Sequence, residues 1–185
     1  MNTKLIILDR DGVINYDNFA YIKSPDELLF IPGSLEAIAV LNRAGFKVVV
    51  ATNQSGIGRG LFNLDMLNRI HEKLKTSLEK VGGEIDEIFF CPHHPDQQCE
   101  CRKPKLGLFQ QIQKKYQVDF SKTYFIGDSK VDMQAALALP CKPILVLTSN
   151  GEKTLREHPE FSSIPHFENL SAAIPFILRE TPHED

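Results

Sequence analysis

The chain has 185 residues, 42% of them hydrophobic, and its 24 acidic against 21 basic side chains leave a formal net charge of −3. That length supports one domain with a sizeable core, and that apolar share excludes a disordered or fibrous chain. The near balance of charge gives no electrostatic reason for a nucleic-acid or membrane partner. No apolar run reaches the length of a membrane span or reads as a signal peptide, so a cytoplasmic protein is expected.

Residues 5–8 form the first element, Leu5-Ile6-Ile7-Leu8, apolar without alternation. Such a run suits an inner strand of a parallel sheet, covered on both faces. It ends in Asp9-Arg10-Asp11-Gly12-Val13. Taken alone, that stretch also fits an Asp-Gly hairpin turn or a partial calcium loop, but 13–18 supplies no returning strand and Val13 stands where a further oxygen ligand is wanted. Residues 15–31 read as a loop punctuated by Pro25 and Pro32, not as a separate domain. Ser34 is placed as the cap of a helix running to about Ala44 and stopped by Gly45. The second strand is 48–51, followed by Thr52-Asn53-Gln54-Ser55 and a glycine-rich 56–60 that matches no phosphate-loop fingerprint and reads as a flexible turn. Residues 65–81 make the clearest helix, with Leu67, Ile70, Leu74, Leu78 and Val81 as its core stripe. Strand 88–90 follows, then a cysteine-rich loop, a helix at 107–116, a strand at 124–126, an alanine-rich helix at 131–139 and a fifth strand at 144–147. A weak helix is read at 170–178 despite Pro175. The domain is placed at 1–180, with a polar tail at 181–185. Five short apolar strands separated by helices predict an α/β fold with a doubly wound parallel sheet, its strand order unreadable.

The polar residues gather at strand ends. Asp9 follows the first strand, Thr52 the second, Cys91 the third and Asp128 the fourth, all at the rim where open parallel sheets place ligands. Asp9, Asp11 and Asp128 are hard oxygen donors suited to Mg²⁺ shared with a phosphate. Lys103 and residues 52–55 offer donors for the remaining phosphate oxygens. Asp128 also fits a turn or helix cap, and Asp132 fits either a first-turn carboxylate or a partner of Lys103.

Cys91-Pro92-His93 and Cys99-Glu100-Cys101 are two close ligand pairs. Three thiolates and one imidazole suit a tetrahedral, structural Zn²⁺ with no open position, ahead of a disulfide or stray thiols. His94 is the weaker imidazole, because Cys-x-His mirrors Cys-x-Cys. Cys141, left over, reads as buried filler.

Asp9-Arg10-Asp11-Gly12-Val13, Thr52-Asn53-Gln54-Ser55, Arg102-Lys103-Pro104 and Gly127-Asp128, in that order along nearly the whole chain, resemble the haloacid dehalogenase (HAD) superfamily of phosphohydrolases. The cysteine loop resembles the zinc-bearing branch of that superfamily. The resemblance implies a Rossmann-like sheet of five central parallel strands, the nucleophile strand in the middle, and no large cap domain. It implies Asp9 as nucleophile forming an aspartyl-phosphate, and Asp11 as acid, then base. Mg²⁺ would be held by Asp9, the main-chain carbonyl of Asp11, and Asp128. Thr52 and Lys103 would stabilise the phosphoryl group. Asp17, Tyr21, Asn53, Gln54, Ser55 and Arg102 would meet the substrate, a small phosphorylated sugar, with the protein a monomer. The implied activity is removal of the C7 phosphate of a heptose 1,7-bisphosphate, in the supply of ADP-heptose for lipopolysaccharide. Hydrolysis of histidinol phosphate is the alternative, and a non-catalytic, zinc-stabilised binder on the same fold is the alternative of another class. Ser129 stands where a basic residue is common in that branch, so that phosphate contact is either missing or supplied by Lys130.

Overall fold

The computed structural model describes residues 4–181. Six parallel strands, β1 (Leu5–Leu8), β2 (Lys47–Asn53), β3 (Glu87–Cys91), β4 (Tyr124–Gly127), β5 (Lys142–Val146) and β6 (His166–Phe167), lie in the order β3-β2-β1-β4-β5-β6. The order reverses between β1 and β4. This is the switch point at which doubly wound sheets open a crevice beyond the strand ends. Leu8 is in register with Ile126, and Asp9 N–H donates to Ile126 O at 2.9 Å, so Asp9 and Asp128 emerge side by side.

Six α-helices cover the two faces: α1 (Ser34–Arg43), α2 (Leu64–Glu79), α3 (Gly107–Tyr116), α4 (Lys130–Ala138), α5 (Gly151–Glu157) and α6 (Leu170–Glu180). Side chains alternate across a strand, and β1 is therefore split between two cores. Ile6 and Leu8 pack with Ile38 and Leu41 of α1, Ile70 and Leu74 of α2, and Ile174 and Ile177 of α6. Leu5 and Ile7 pack on the other face with Leu108, Phe109 and Ile112 of α3 and Ala135 and Ala136 of α4. An unalternating apolar strand is the sequence consequence of that double coverage.

Several expectations need correction. The sheet has six strands, not five: β6 is two residues long and pairs with β5 through Leu145 and His166. Two residues carry no periodicity to read. Helix α5, unpredicted, is seven residues long and buries Gly151 and Thr154. Ser34 is not the cap of α1. Gly33 occupies that position at φ 80°, and the Ser34 hydroxyl donates to Ile14 O at 2.6 Å, tying the preceding loop to the helix. Helix α2 starts on an Asn63 cap, whose Oδ1 accepts from Met66 N–H at 2.9 Å, and ends before Val81, which is only half-buried. Pro175 is exposed within α6, where its missing N–H leaves a solvent-side carbonyl to water.

Residues 9–33 contain one 3₁₀ turn at Pro25–Glu27 and two isolated bridges, from Asn15 to Asp11 and to Phe30, so no large cap covers the strand ends. Apart from Thr181, the expected polar tail lies outside the described residues.

Candidate active site

The rim beyond β1, β2 and β4 holds a pocket of about 320 Å³. Asp9, Asp11, Asp17, Tyr21, Asn53, Gln54, Ser55, Arg102, Lys103 and Asp128 all line it, as do Arg59 and Asn150. Thr52 does not. It is fully buried as a β2 residue, and its hydroxyl accepts from Gln54 Nε2 at 3.0 Å, supporting the wall from behind.

Carboxylate oxygens of Asp9, Asp128 and Asp132 lie within 4.8 Å of one another. Burial, reinforced by Asp132 and only partly opposed by Lys103, raises Asp9 well above the usual carboxylate range. Burial and Asp132 likewise push Asp128 up to about 8, against hydrogen bonds from Asn150. Carboxylates so crowded resist ionising together, and a divalent cation removes the conflict. Gly12 makes the approach sterically feasible: at φ 86°, a Cβ there would stand 2.0 Å from Asp128 Oδ2. A hard-oxygen cluster with a backbone cradle fits Mg²⁺.

Lys103 is the counter-charge. Its ammonium, 1% exposed, lies 3.0 Å from Asp9 Oδ1 and 2.7 Å from Asp132 Oδ1, and donates to Ala51 O at 2.8 Å. Burial alone would lower it, but Asp132 and Asp9 overcome this and keep it charged. Asn53 fixes its backbone in both directions: Lys103 N–H donates to Asn53 Oδ1 at 3.0 Å, and Asn53 Nδ2 donates to Lys103 O at 3.1 Å. The two readings of Asp132 are both realised. One oxygen pairs with Lys103, while the other closes a capping box with Ser129 at the start of α4. Ser129 therefore serves as a helix cap. Lys130 does not line the pocket; it borders a separate cleft with Lys153 and His158.

The Asp11 carboxylate stands apart from the oxygen cluster. Its Oδ1 accepts from Arg10 Nε at 3.1 Å, Arg10 Nη2 at 2.8 Å and Asn15 Nδ2 at 2.9 Å, and its Oδ2 accepts from Gln54 Nε2 at 2.8 Å. Burial would raise its pKa, but the Arg10 guanidinium and these hydrogen bonds win and hold it below the usual range. Arg10 is 1% exposed and also donates from Nη1 to His71 Nε2 at 3.1 Å. Since a guanidinium only donates, His71 is the neutral acceptor. Burial, then Arg10, lowers its pKa to about 3.

Three of these groups escaped the sequence reading. Arg10 lies inside the aspartate motif, but nothing local shows it to be buried. His71 lies at helical spacing between Leu67 and Leu74, so its place on the buried stripe was legible, but nothing local names Arg10 as its partner. Asn150 was within reach, because it follows β5 at the same rim. Its main-chain N–H and Nδ2 donate to Asp128 Oδ2 at 3.0 and 3.2 Å, and Nδ2 donates to Asp17 Oδ2 at 2.9 Å.

Along the loop beyond β3, ligand atoms of Cys91, His93, Cys99 and Cys101 lie within 4.8 Å of one another. The Cys91–Cys99 and Cys99–Cys101 sulfurs are each 3.5 Å apart, and His93 Nδ1 is 3.2 Å from the Cys101 sulfur. A tetrahedron with Zn–S near 2.3 Å has edges of about 3.8 Å, so the donor set and its spacing fit zinc. His94 is used elsewhere, its Nδ1 accepting from Asp96 N–H at 3.1 Å. Cys141 is half-buried against the α3–α4 side and donates to Ala136 O at 3.2 Å. The glycine-rich segment is more than a flexible turn. Gly58 N–H donates to Pro92 O at 2.8 Å, and a Cβ on Gly58 would meet His94 N at 2.3 Å, so this segment is seated directly on the cysteine loop.

A switch-point carboxylate cluster, a buried lysine and an uncapped parallel sheet define a HAD-like phosphohydrolase. A HAD-like protein from Mesorhizobium loti has this fold at TM-score 0.71 and 29% identity, over 95% of this chain and 88% of that one. The family model described as polynucleotide kinase 3 phosphatase matches residues 4–162. The D-glycero-beta-D-manno-heptose-1,7-bisphosphate 7-phosphatase of Bordetella bronchiseptica is 50% identical over 179 residues, 96% of this chain and 99% of that protein. A crystal structure of the D,D-heptose 1,7-bisphosphate phosphatase from B. bronchiseptica, complexed with magnesium and phosphate, superposes at TM-score 0.93 with 49% identity, covering 97% of this chain and all of that one. The chain belongs to the polynucleotide kinase 3 phosphatase family and, within it, to the D-glycero-beta-D-manno-heptose-1,7-bisphosphate 7-phosphatases. Among the described residues, no helix is long and apolar enough to cross a membrane.

Proposed function

We propose that this chain is a Mg²⁺-dependent phosphatase that removes the C7 phosphate of D-glycero-D-manno-heptose 1,7-bisphosphate. It would act in the cytoplasm as a monomer, with 1–180 as one catalytic domain. The observation that carries the reading is the meeting of Asp9, Asp128 and Lys103 at the β1–β4 switch point, in a chain half identical to a heptose bisphosphatase over nearly its full length. A Mg²⁺ held by Asp9, Asp128 and the Asp11 carbonyl would neutralise phosphate charge and let an anionic nucleophile approach.

Asp9 attacks the phosphorus, and the sugar leaves as its alkoxide while an aspartyl-phosphate forms. Asp11 gives that alkoxide a proton, then takes one from the water that hydrolyses the intermediate. At rest Arg10 keeps Asp11 ionised, the form the second step needs. The negative charge of the arriving phosphate raises its proton affinity, so that Asp11 takes up a proton from solvent as substrate binds and holds it for the first step. Lys103 holds Asp9 and faces the transferring oxygens, while Asn53, Gln54 and Ser55 offer neutral donors at the pocket wall. A Zn²⁺ held by Cys91, His93, Cys99 and Cys101 would brace the loop that carries Arg102 and Lys103 immediately after Cys101.

The test is a substrate panel at saturating Mg²⁺. Heptose 1,7-bisphosphate should be hydrolysed with far higher kcat/KM than histidinol phosphate, and Asp9→Asn should be folded and inactive. The reverse ranking would reassign the chain to histidinol-phosphate hydrolysis. A folded Asp9→Asn enzyme with undiminished turnover would remove Asp9 from the chemistry, and a wild-type protein that hydrolyses neither substrate would leave only a binding role.

A further inference from the structure

Asp11 is held from behind by side chains that do not line the pocket. Neither Arg10 nor His71 is among the lining residues. The Asp11 carboxylate takes its hydrogen bonds unevenly. Oδ1 accepts from Arg10 Nε, Arg10 Nη2 and Asn15 Nδ2, whereas the one side-chain donor to Oδ2 among the described residues is Gln54 Nε2. Each carboxylate oxygen has two lone pairs, so Oδ1 is filled and Oδ2 keeps room for a proton. The Arg10 fork therefore decides which oxygen is left for chemistry.

That fork is itself held at its other end. A guanidinium is rigid and planar, so a bond at Nη1 fixes the direction of Nε and Nη2. Nη1 lies 3.1 Å from His71 Nε2, its one hydrogen-bond partner among the described residues. Arg10 is buried, and removal of that acceptor would leave a charged donor unpaired away from water. The His71 ring is braced in turn. It belongs to the buried stripe of α2 with Leu67, Ile70 and Leu74, and it meets the Phe90 ring edge-on, 6.3 Å between centres. Two residues further along α2, Lys73 Nζ donates to Pro25 O at 2.6 Å and to Leu28 O at 3.1 Å, which ties the helix to the loop that follows Asp11.

We infer that His71 is a positioning residue for catalysis: through Arg10 it fixes the Asp11 carboxylate so that Oδ2 is presented to the leaving oxygen. The inference deepens the proposed two-step reaction and rests on it. His71 exchanges no proton and touches no substrate. In the first step an Asp9 oxygen bonds to phosphorus, the bond from phosphorus to the sugar oxygen breaks, and the proton on Asp11 Oδ2 passes to that oxygen. A sugar alkoxide needs this proton. A nitrophenolate does not, because its ring delocalises the charge. A misplaced Oδ2 therefore slows the first step for a sugar ester and spares it for p-nitrophenyl phosphate.

The experiment compares kcat/KM, which reports the steps up to the aspartyl-phosphate, for heptose 1,7-bisphosphate and p-nitrophenyl phosphate. The enzymes are wild type, Asp11→Asn, His71→Leu, which removes the acceptor, and His71→Gln, which restores one. Circular dichroism and urea midpoints establish that each is folded in the assay, and His71→Asn, polar but a methylene shorter than His71→Gln, serves where His71→Leu does not fold. His71→Leu should lower kcat/KM for the heptose bisphosphate by about tenfold through kcat, with KM little changed, and leave kcat/KM for p-nitrophenyl phosphate nearly intact. His71→Gln should recover most of the loss. Asp11→Asn should show the same split in larger measure. A folded His71→Leu enzyme that loses both substrates equally, or neither, would overturn the positioning role while a split in Asp11→Asn leaves the two-step reading standing. So would a loss that His71→Gln fails to recover. Absence of the split in Asp11→Asn would overturn the acid role of Asp11 and the inference together.

Discussion

Gly12 and Asp128 occupy each other's space: a Cβ on Gly12 would lie 2.0 Å from Asp128 Oδ2 and 2.8 Å from Oδ1. The turn after β1 has given up a side chain so that the carboxylate after β4 can lie against its backbone. Gly12→Ala should therefore fail twice. The left-handed φ costs about 1–2 kcal/mol, read as a lower urea midpoint. Displacement of Asp128 should cut kcat/KM well beyond what that loss of stability explains.

Lys103 joins Asp9 to Asp132 in a buried triad. Lys103→Met leaves two buried carboxylates facing each other and should destabilise the protein by about 3–5 kcal/mol. Adding Asp132→Asn should recover much of that stability and none of the activity. Chemical denaturation of the two single variants and the double variant measures the coupling.

Asp11 accepts from Arg10, Asn15 and Gln54, so its carboxylate is fixed in place. Asp11→Asn keeps an acceptor for Arg10 but cannot move a proton. Its kcat should fall by about 10²–10⁴ with a smaller change in KM. Rapid-quench detection of an aspartyl-phosphate that forms and hydrolyses at the wild-type rate would contradict the acid–base role.

His71 gives a pH prediction whose sign follows from burial. Its pKa is about 3 in the folded chain, below its ordinary value of 6.5. The unfolded chain binds the proton first, so this contribution is fully present above pH 6.5 and is lost as pH falls toward 3. At pH 5 the loss is about 2 kcal/mol relative to pH 8. His71→Gln should lack that share, seen as a smaller difference between urea midpoints at the two pH values.

The cysteine cluster should make metal part of the fold. Burial and its sulfur neighbours push the Cys101 thiol up to about 12, while hydrogen bonds from Cys91 and the loop overcome burial at Cys99 and bring it down to about 6. A bound Zn²⁺ would hold all three as thiolates. Cys99→Ser should lose zinc by elemental analysis and lower the melting temperature. Because Arg102 and Gly58 rest on that loop, it should also raise KM.

The amino-acid order alone determined the buried strands, the main helices, the first aspartate pair and the grouping of Cys91, His93, Cys99 and Cys101. Each of these has a local signature: an apolar run, a helical stripe, a carboxylate at a strand end, or cysteines at ligand spacing. The short β6 and α5 escaped because a two-residue strand and a two-turn helix have too little length for periodicity. What only the tertiary structure decided is adjacency. Strand order places β4 against β1, and this brings Asp128 to Asp9 from 119 positions away. The same packing buries Arg10 against His71, turns Asn150 onto Asp128 and seats Gly58 on the cysteine loop. Local pattern reports how deeply a residue will be buried, while the partner it meets there depends on which distant strands and loops become neighbours.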